Sequence, residues 1–75
     1  MELRQLRYFL AVADNGSLSK ASAVLGIAQP ALSRAVRQLE QALHTQLFYR
    51  HGRGIRLTEK GVQFHATVDR LIRSL

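Results

Sequence analysis

The chain has 75 residues, with eleven Lys and Arg against five Asp and Glu, a formal charge of +6 and no cysteine. A single domain of this size buries only about 60% of its unfolded surface, so it gains from a partner chain or a further domain. Without cysteine there is neither a disulfide staple nor a thiolate metal site, which removes the usual ground for a secreted miniprotein and leaves the cytoplasm as the default.

From Glu2 to Ala13 the apolar positions Leu3, Leu6, Phe9, Leu10 and Ala13 recur at helical spacing, and Asp14-Asn15-Gly16-Ser17 supplies turn formers that stop the helix. The longest apolar run, Tyr8 to Ala13, is far below the roughly 18 residues needed to span a bilayer, and Met1-Glu2 does not open a signal peptide. A soluble chain with no membrane partner is expected. Arg4 and Arg7 share one exposed side of this helix, where ordinary solvated charge and a backbone phosphate contact are equally open.

A second, shorter helix is expected from Ser17 to Leu25, with Leu18, Ala21 and Leu25 on one face and Ser17 or Ser19 as its cap. Its small residues Ala21, Ser22 and Ala23 let another helix approach closely, and Gly26 provides a sharp exit. On a third helix over residues 28 to 43, Leu32, Val36, Leu39 and Leu43 form a narrow stripe that must face a core. Pro30, Ser33, Arg34, Arg37 and Gln41 fall on the other side, and Gln29 projects from the first turn. Helix, tight turn and second helix is the resulting pattern. Pro30 loses no hydrogen bond in a first turn, while Ala28 and Gln29 are poor caps, so the free N–H groups form an anion site that solvent would satisfy equally well.

Beyond Leu43 two short half-apolar runs, Gln46 to Arg50 and Ile55 to Thr58, flank His51-Gly52-Arg53-Gly54 and predict a β-hairpin. The glycines on both sides of Arg53 allow positive φ and leave one arginine standing at the tip, with Arg50 and Arg56 beside it. Between Asn15 and Thr58 the only acid is Glu40. A basic excess of this kind, with Arg34 and Arg37 on one exposed helix face, points to phosphates, and to nucleic acid before membrane. The plainer alternatives are a solvated surface and a hairpin with incidental charge.

Thr58 is placed to cap a last helix, with Glu59 favourable at its positive end. Phe64, Val68, Leu71 and Leu75 then repeat at alternating spacings of four and three, a coiled-coil seam that Gly61 extends backward. Such a seam pairs with a second chain, although packing on the first helix is the alternative and would claim Phe64. With no capping glycine or proline before Leu75, the chain is expected to be the N-terminal piece of something longer.

No hydrolase, kinase or dinucleotide motif is present, and Gly52 and Gly54 fit neither a P-loop nor a Rossmann pattern. His44, His51 and His65 lack metal-ligand spacing and read as surface or hairpin residues. No enzyme activity, metal or cofactor is expected.

The segments LRQLRYFLAVADNGSLSKAS, LGIAQPALSRAVRQLE and LFYRHGRGIRLTEKG, in this order and spacing, resemble the DNA-binding domain of the LysR-type bacterial transcriptional regulators nearly end to end. That resemblance implies a mainly α winged helix-turn-helix, a three-helix core with a β-hairpin wing over residues 1–58, followed over residues 59–75 by the start of a linker helix. It implies Gln29, Pro30, Ser33 and Arg34 at the major groove of double-stranded operator DNA and Arg53 on a wing tip at the minor groove. It also implies a homodimer through the linker helix, antiparallel to its mate, with a tetramer open to the full-length protein. A missing C-terminal domain would sense a small-molecule inducer, and the setting would be the bacterial cytoplasm and nucleoid. Three positions depart from the family pattern: Ser22 stands where alanine is frequent, Ala28 where a serine or threonine cap is common, and His44 where glycine ends the recognition helix. The Ala28 change costs about 1 kcal/mol of helix stability on the capping scale and removes one phosphate contact. His44 predicts a strained or lengthened exit toward the wing, which bears on Arg50 more than on Arg53.

The expected function is therefore sequence-specific DNA binding by a transcription regulator. A winged helix used as a protein-interaction module would want an apolar exposed patch in place of Arg34 and Arg37. An RNA binder would display aromatics for stacking, whereas the Tyr and Phe here mostly fit core or hairpin positions.

Overall fold

The computed structural model describes residues 1–52 and 54–75. Its elements run α1 (Leu3–Asn15), α2 (Leu18–Leu25), α3 (Gln29–Leu43), β1 (Phe48–His51), β2 (Gly54–Leu57) and α4 (Glu59–Arg73). The fold is the expected mainly α winged helix-turn-helix.

Helix α1 reaches two residues beyond Ala13, and its first turn is closed by the Gln5 side chain, which accepts from the Glu2 N–H at 3.1 Å. Its core positions are Leu6, Phe9 and Val12, while Leu3, expected in the core, is exposed. Leu3 opens the helix, where no neighbouring element covers it. Ser17, rather than Ser19, caps α2 by accepting from the Lys20 N–H at 3.1 Å. The exit at Gly26 has φ 69°, and its N–H returns to the Ser22 carbonyl at 2.9 Å. Only a residue that tolerates left-handed backbone makes this turn cheaply.

The stripe on α3 behaves as its periodicity requires: Leu32, Val36 and Leu39 are fully buried, and Leu43 packs partly buried at the margin. These side chains meet those of α1, Ala21 of α2, Leu47, Phe48 and Ile55 of the wing segment, and Val68 of α4. Phe9 lies at the centre, with ring centroids 5.3 Å from Phe48 and 5.1 Å from Phe64.

The strands are antiparallel, pairing Phe48 with Leu57 and His51 with Gly54. They differ from the expected runs at both ends. β1 starts at Phe48 rather than Gln46; the N–H groups of Leu47 and Phe48 go to Glu40 Oε2, at 2.7 and 3.1 Å, while the Leu47 carbonyl still accepts from the Thr58 N–H at 2.9 Å. Thr58 leaves β2 to become the α4 cap, accepting from the Gly61 N–H at 2.9 Å and donating to the Gln46 carbonyl at 2.7 Å. Among the described residues no helix is long and apolar enough to cross a membrane.

The seam expected on α4 is divided. Val68 is only 2% exposed and Phe64 is half-buried against Phe9, so both serve this chain's own core, whereas Leu71 and Leu75 are 50% and 74% exposed. Packing on the first helix thus claims Phe64, as the alternative anticipated.

Candidate nucleic-acid interface

Burial of Leu32, Val36 and Leu39 on one side of α3 fixes what the opposite side presents. Gln29, Pro30, Arg34, Arg37, Gln38 and Gln41 are exposed, and Ser33 is half-buried at the edge nearest the wing. Pro30, Ser33, Arg34, Arg37, Gln38 and Gln41 line an open cleft of about 480 Å³. Pro30 stands in the first turn, after an Ala28 N-cap whose side chain accepts no hydrogen bond.

Ion pairing divides the arginines in part: Arg7, Arg56 and Arg70 also lack an acidic partner among the described residues, but of the unpaired ones only Arg34 and Arg37 stand together on one helix face. Arg4 lies 3.5 Å from Glu2, Arg50 3.4 Å from Glu40 and Arg73 2.9 Å from Asp69. Among the described residues neither Arg34 nor Arg37 has an acidic partner. Two guanidinium groups one helical turn apart, exposed and uncompensated, create positive potential over the cleft and offer forked donors to anionic oxygens or base edges. Arg56, on the outer face of the wing, lies over its cross-strand neighbour Tyr49 with 5.6 Å to the ring centroid.

A second groove, about 310 Å³ in volume, runs between the start of α2, the start of α3 and the wing, with Ser17, Ser19, Gln29, Arg50, His51 and Gly52 among its lining residues. The wing therefore continues the surface begun by α3. Arg53, expected at its tip, lies outside the described residues. Gly54 beside it has φ 151°.

Sequence reasoning grouped Arg50 with the wing-tip cations, and the structure gives it a different place. Its Nη1 donates to Ser33 Oγ at 3.1 Å and its Nη2 lies 3.4 Å from Glu40 Oε1, with both side chains of the ion pair mostly buried. Glu40 is thus the hub that joins α3 to the wing, a role sequence reasoning missed. The signal was there, because one acid alone in a long basic stretch needs a structural reason. His65, placed with the surface or hairpin residues, stands half-buried on α4, with Nε2 2.8 Å from Asp14 Oδ1 at the end of α1. His44 ends α3 with φ 52° and ψ 40°, the strained exit expected of a non-glycine there.

A family model described as bacterial regulatory helix-turn-helix protein, lysR family, matches residues 3–62. The chain is 44% identical over 72 residues to the HTH-type transcriptional regulator BudR of Klebsiella aerogenes, covering 96% of this chain and 50% of that protein. It is 46% identical over 72 residues to the HTH-type transcriptional regulator ClcR of Pseudomonas putida, covering 96% and 24%. The chain thus spans between about a quarter and half the length of these curated relatives. Among solved structures, the BenM DNA-binding domain in complex with benA site 1 DNA superposes with a TM-score of 0.95 at 43% identity, over 99% of this chain and 83% of that one. The CbnR DNA-binding domain in complex with DNA gives 0.94 at 40% identity, over 97% and 84%.

Proposed function

The chain belongs to the lysR family of bacterial regulatory helix-turn-helix proteins, and from that premise we propose that it is the sequence-specific, double-stranded-DNA-binding module of a transcription regulator. Residues 1–58 form the DNA-binding domain and residues 59–75 begin a dimerising linker helix. It acts by binding rather than catalysis, in the bacterial cytoplasm at the nucleoid. Helix α3 enters the major groove, where Gln29, Pro30, Ser33 and Arg34 meet base edges and Arg34 makes two hydrogen bonds to a guanine. Arg37, one turn further on, meets a phosphate. Arg53 at the wing reads the width and potential of the minor groove.

The observation that carries this reading is the pairing state of Arg34 and Arg37, exposed on the free side of a helix whose other side is fully buried, with no acid to neutralise them among the described residues. Leaving two cations uncompensated gains the free chain nothing, whereas each neutralised phosphate releases counterions. That the similar BenM and CbnR domains are solved in complex with DNA supports DNA as the partner. Dimerisation through α4 rests on the exposure of Leu71, at heptad spacing from Phe64 and Val68, with Leu75 exposed just past the helix end. Any inducer acts through a further domain.

The test is selection of bound duplexes from a random pool, with single-stranded RNA as competitor. Recovery of a common half-site, with duplex retained over RNA, supports the reading; retention of RNA, or of no nucleic acid, contradicts it.

A further inference from the structure

On the exposed face of α3 the Ser33 hydroxyl differs from its neighbours in what the surrounding groups allow it to do. A serine hydroxyl is both donor and acceptor, and a freely rotating one reads either kind of base edge. Arg50 carries donors only, and its Nη1 donates to Ser33 Oγ at 3.1 Å. The Ser33 oxygen is therefore an acceptor toward Arg50, and its proton points elsewhere. Arg50 cannot easily turn away, because Nη2 lies 3.4 Å from Glu40 Oε1, and Glu40 Oε2 is held by the N–H groups of Leu47 and Phe48.

Helical serines often discharge their proton onto a carbonyl one turn back, as Ser22 does to the Ser19 carbonyl at 2.8 Å. Among the described residues Ser33 Oγ donates to no such acceptor; its hydrogen bond is the one it receives from Arg50. Ser33 lines the same cleft as Arg34 and Arg37, so the proton is available where a ligand would lie. A second donor would have to reach the remaining lone pair beside a guanidinium that repels positive charge, whereas an acceptor meets the hydroxyl proton directly.

We propose that Arg50 is a positioning residue that turns Ser33 into a donor, so that the module selects an acceptor on the DNA opposite Ser33 and rejects an exocyclic amino group there. This rests on the DNA-binding reading above. The acceptor is a backbone phosphate oxygen or a major-groove base acceptor, purine N7, guanine O6 or thymine O4. Both supply the lone pair that the hydroxyl needs.

The experiment titrates the full chain against a duplex selected from a random pool, resynthesised with one change at a time. The changes are a methylphosphonate linkage, a base analogue lacking N7, O6 or O4, or an analogue lacking an exocyclic amino group. Wild type is compared with Ser33→Ala, Arg50→Lys and Arg50→Met, each checked for folding by thermal unfolding. One acceptor-removing change per half-site should weaken wild type about fivefold, the worth of one net hydrogen bond. It should leave Ser33→Ala, already weaker by that factor, unaffected. The methylphosphonate arm identifies a phosphate and the analogue arm a base. Arg50→Lys, still a donor, should keep the preference, and a folded Arg50→Met should lose it while retaining discrimination by Arg34. If Arg50→Met does not fold, Arg50→Gln, whose amide offers an acceptor as well as donors, takes its place, and a folded Arg50→Met or Arg50→Gln that kept the full preference would overturn the proposal. Equal binding of Ser33→Ala and wild type on every probe would overturn the proposal, as would a Ser33-dependent loss on removing an amino group. Selection of no duplex at all would overturn the DNA-binding reading and this proposal with it.

Discussion

Gly61 and Leu47 lie backbone against backbone: the first turn of α4 crosses the Leu47 carbonyl so closely that a β-carbon at position 61 would overlap its oxygen, and the Leu57 side chain is 3.0 Å from the same point. Replacing a helical glycine by alanine ordinarily stabilises a helix by up to about 1 kcal/mol. Here Gly61→Ala should instead destabilise by about 1 to 3 kcal/mol, because the backbone must move to relieve the overlap. Urea denaturation of the pair measures this, and a stabilised alanine variant would mean that α4 does not approach the wing segment so closely.

His44 predicts the opposite sign. It holds φ 52° with an exposed side chain, and a β-carbon in left-handed backbone is a cost that glycine avoids. His44→Gly should raise stability by about 0.5 to 1 kcal/mol, seen as a rise of a few degrees in Tm. An unchanged or lower Tm would show that the histidine repays its strain through contacts of its side chain.

Residues of the α4 seam should separate by role. Val68 is buried in this chain and Leu71 is half-exposed, so Val68→Ala should cost roughly 2 kcal/mol of folding stability while Leu71→Glu should leave folding unchanged. If Leu71 and Leu75 pair with a second chain, Leu71→Glu should shift sedimentation toward monomer and weaken binding to a duplex with two half-sites. Identical self-association of Leu71→Glu and wild type over a broad concentration range would remove α4 as the dimer contact.

The helix-turn-helix was legible in the sequence because its signals are local: the Leu32, Val36, Leu39 stripe has one period, Gly26 one conformation and Thr58 one capping geometry. What was not legible depends on long-range partners. Val12 belongs to the buried face of α1 and Leu3 does not, but both lie on an apolar helix side, and only the placement of α3 and α4 decides between them. β1 starts at Phe48, where a side chain on α3, Glu40, takes the N–H groups of Leu47 and Phe48. Periodicity alone could not separate an inner pair, Phe64 and Val68, from Leu71 on α4 and Leu75 just beyond its end, since a core and a coiled coil ask for the same spacing. On the candidate interface, exposure of Gln29, Pro30, Arg34 and Arg37 followed directly from the α3 wheel. The Arg50 bond to Ser33 spans 17 residues and has no local signature.

Electrostatics offers a further expectation. Binding should fall steeply with salt, each neutralised phosphate adding about −0.9 to the log-log slope on duplex DNA. Arg37→Ala should make the slope shallower by about 1, and a flat salt dependence of wild type would point to a protein partner.

The central claim is that the free face of α3 reads base sequence, and it is tested most directly by titrating Arg34→Ala, Arg37→Ala and Arg53→Ala against a panel of single-base variants of a selected duplex. Arg34→Ala should relax discrimination at one base pair per half-site, with about 1 to 3 kcal/mol of preference lost there. Arg37→Ala should weaken every variant alike, and Arg53→Ala should weaken all of them, most where the flanks are A/T-rich and the minor groove is narrow. If Arg34→Ala lowered affinity equally for every duplex in the panel, the placement of α3 in the major groove with Arg34 on a base edge would be contradicted.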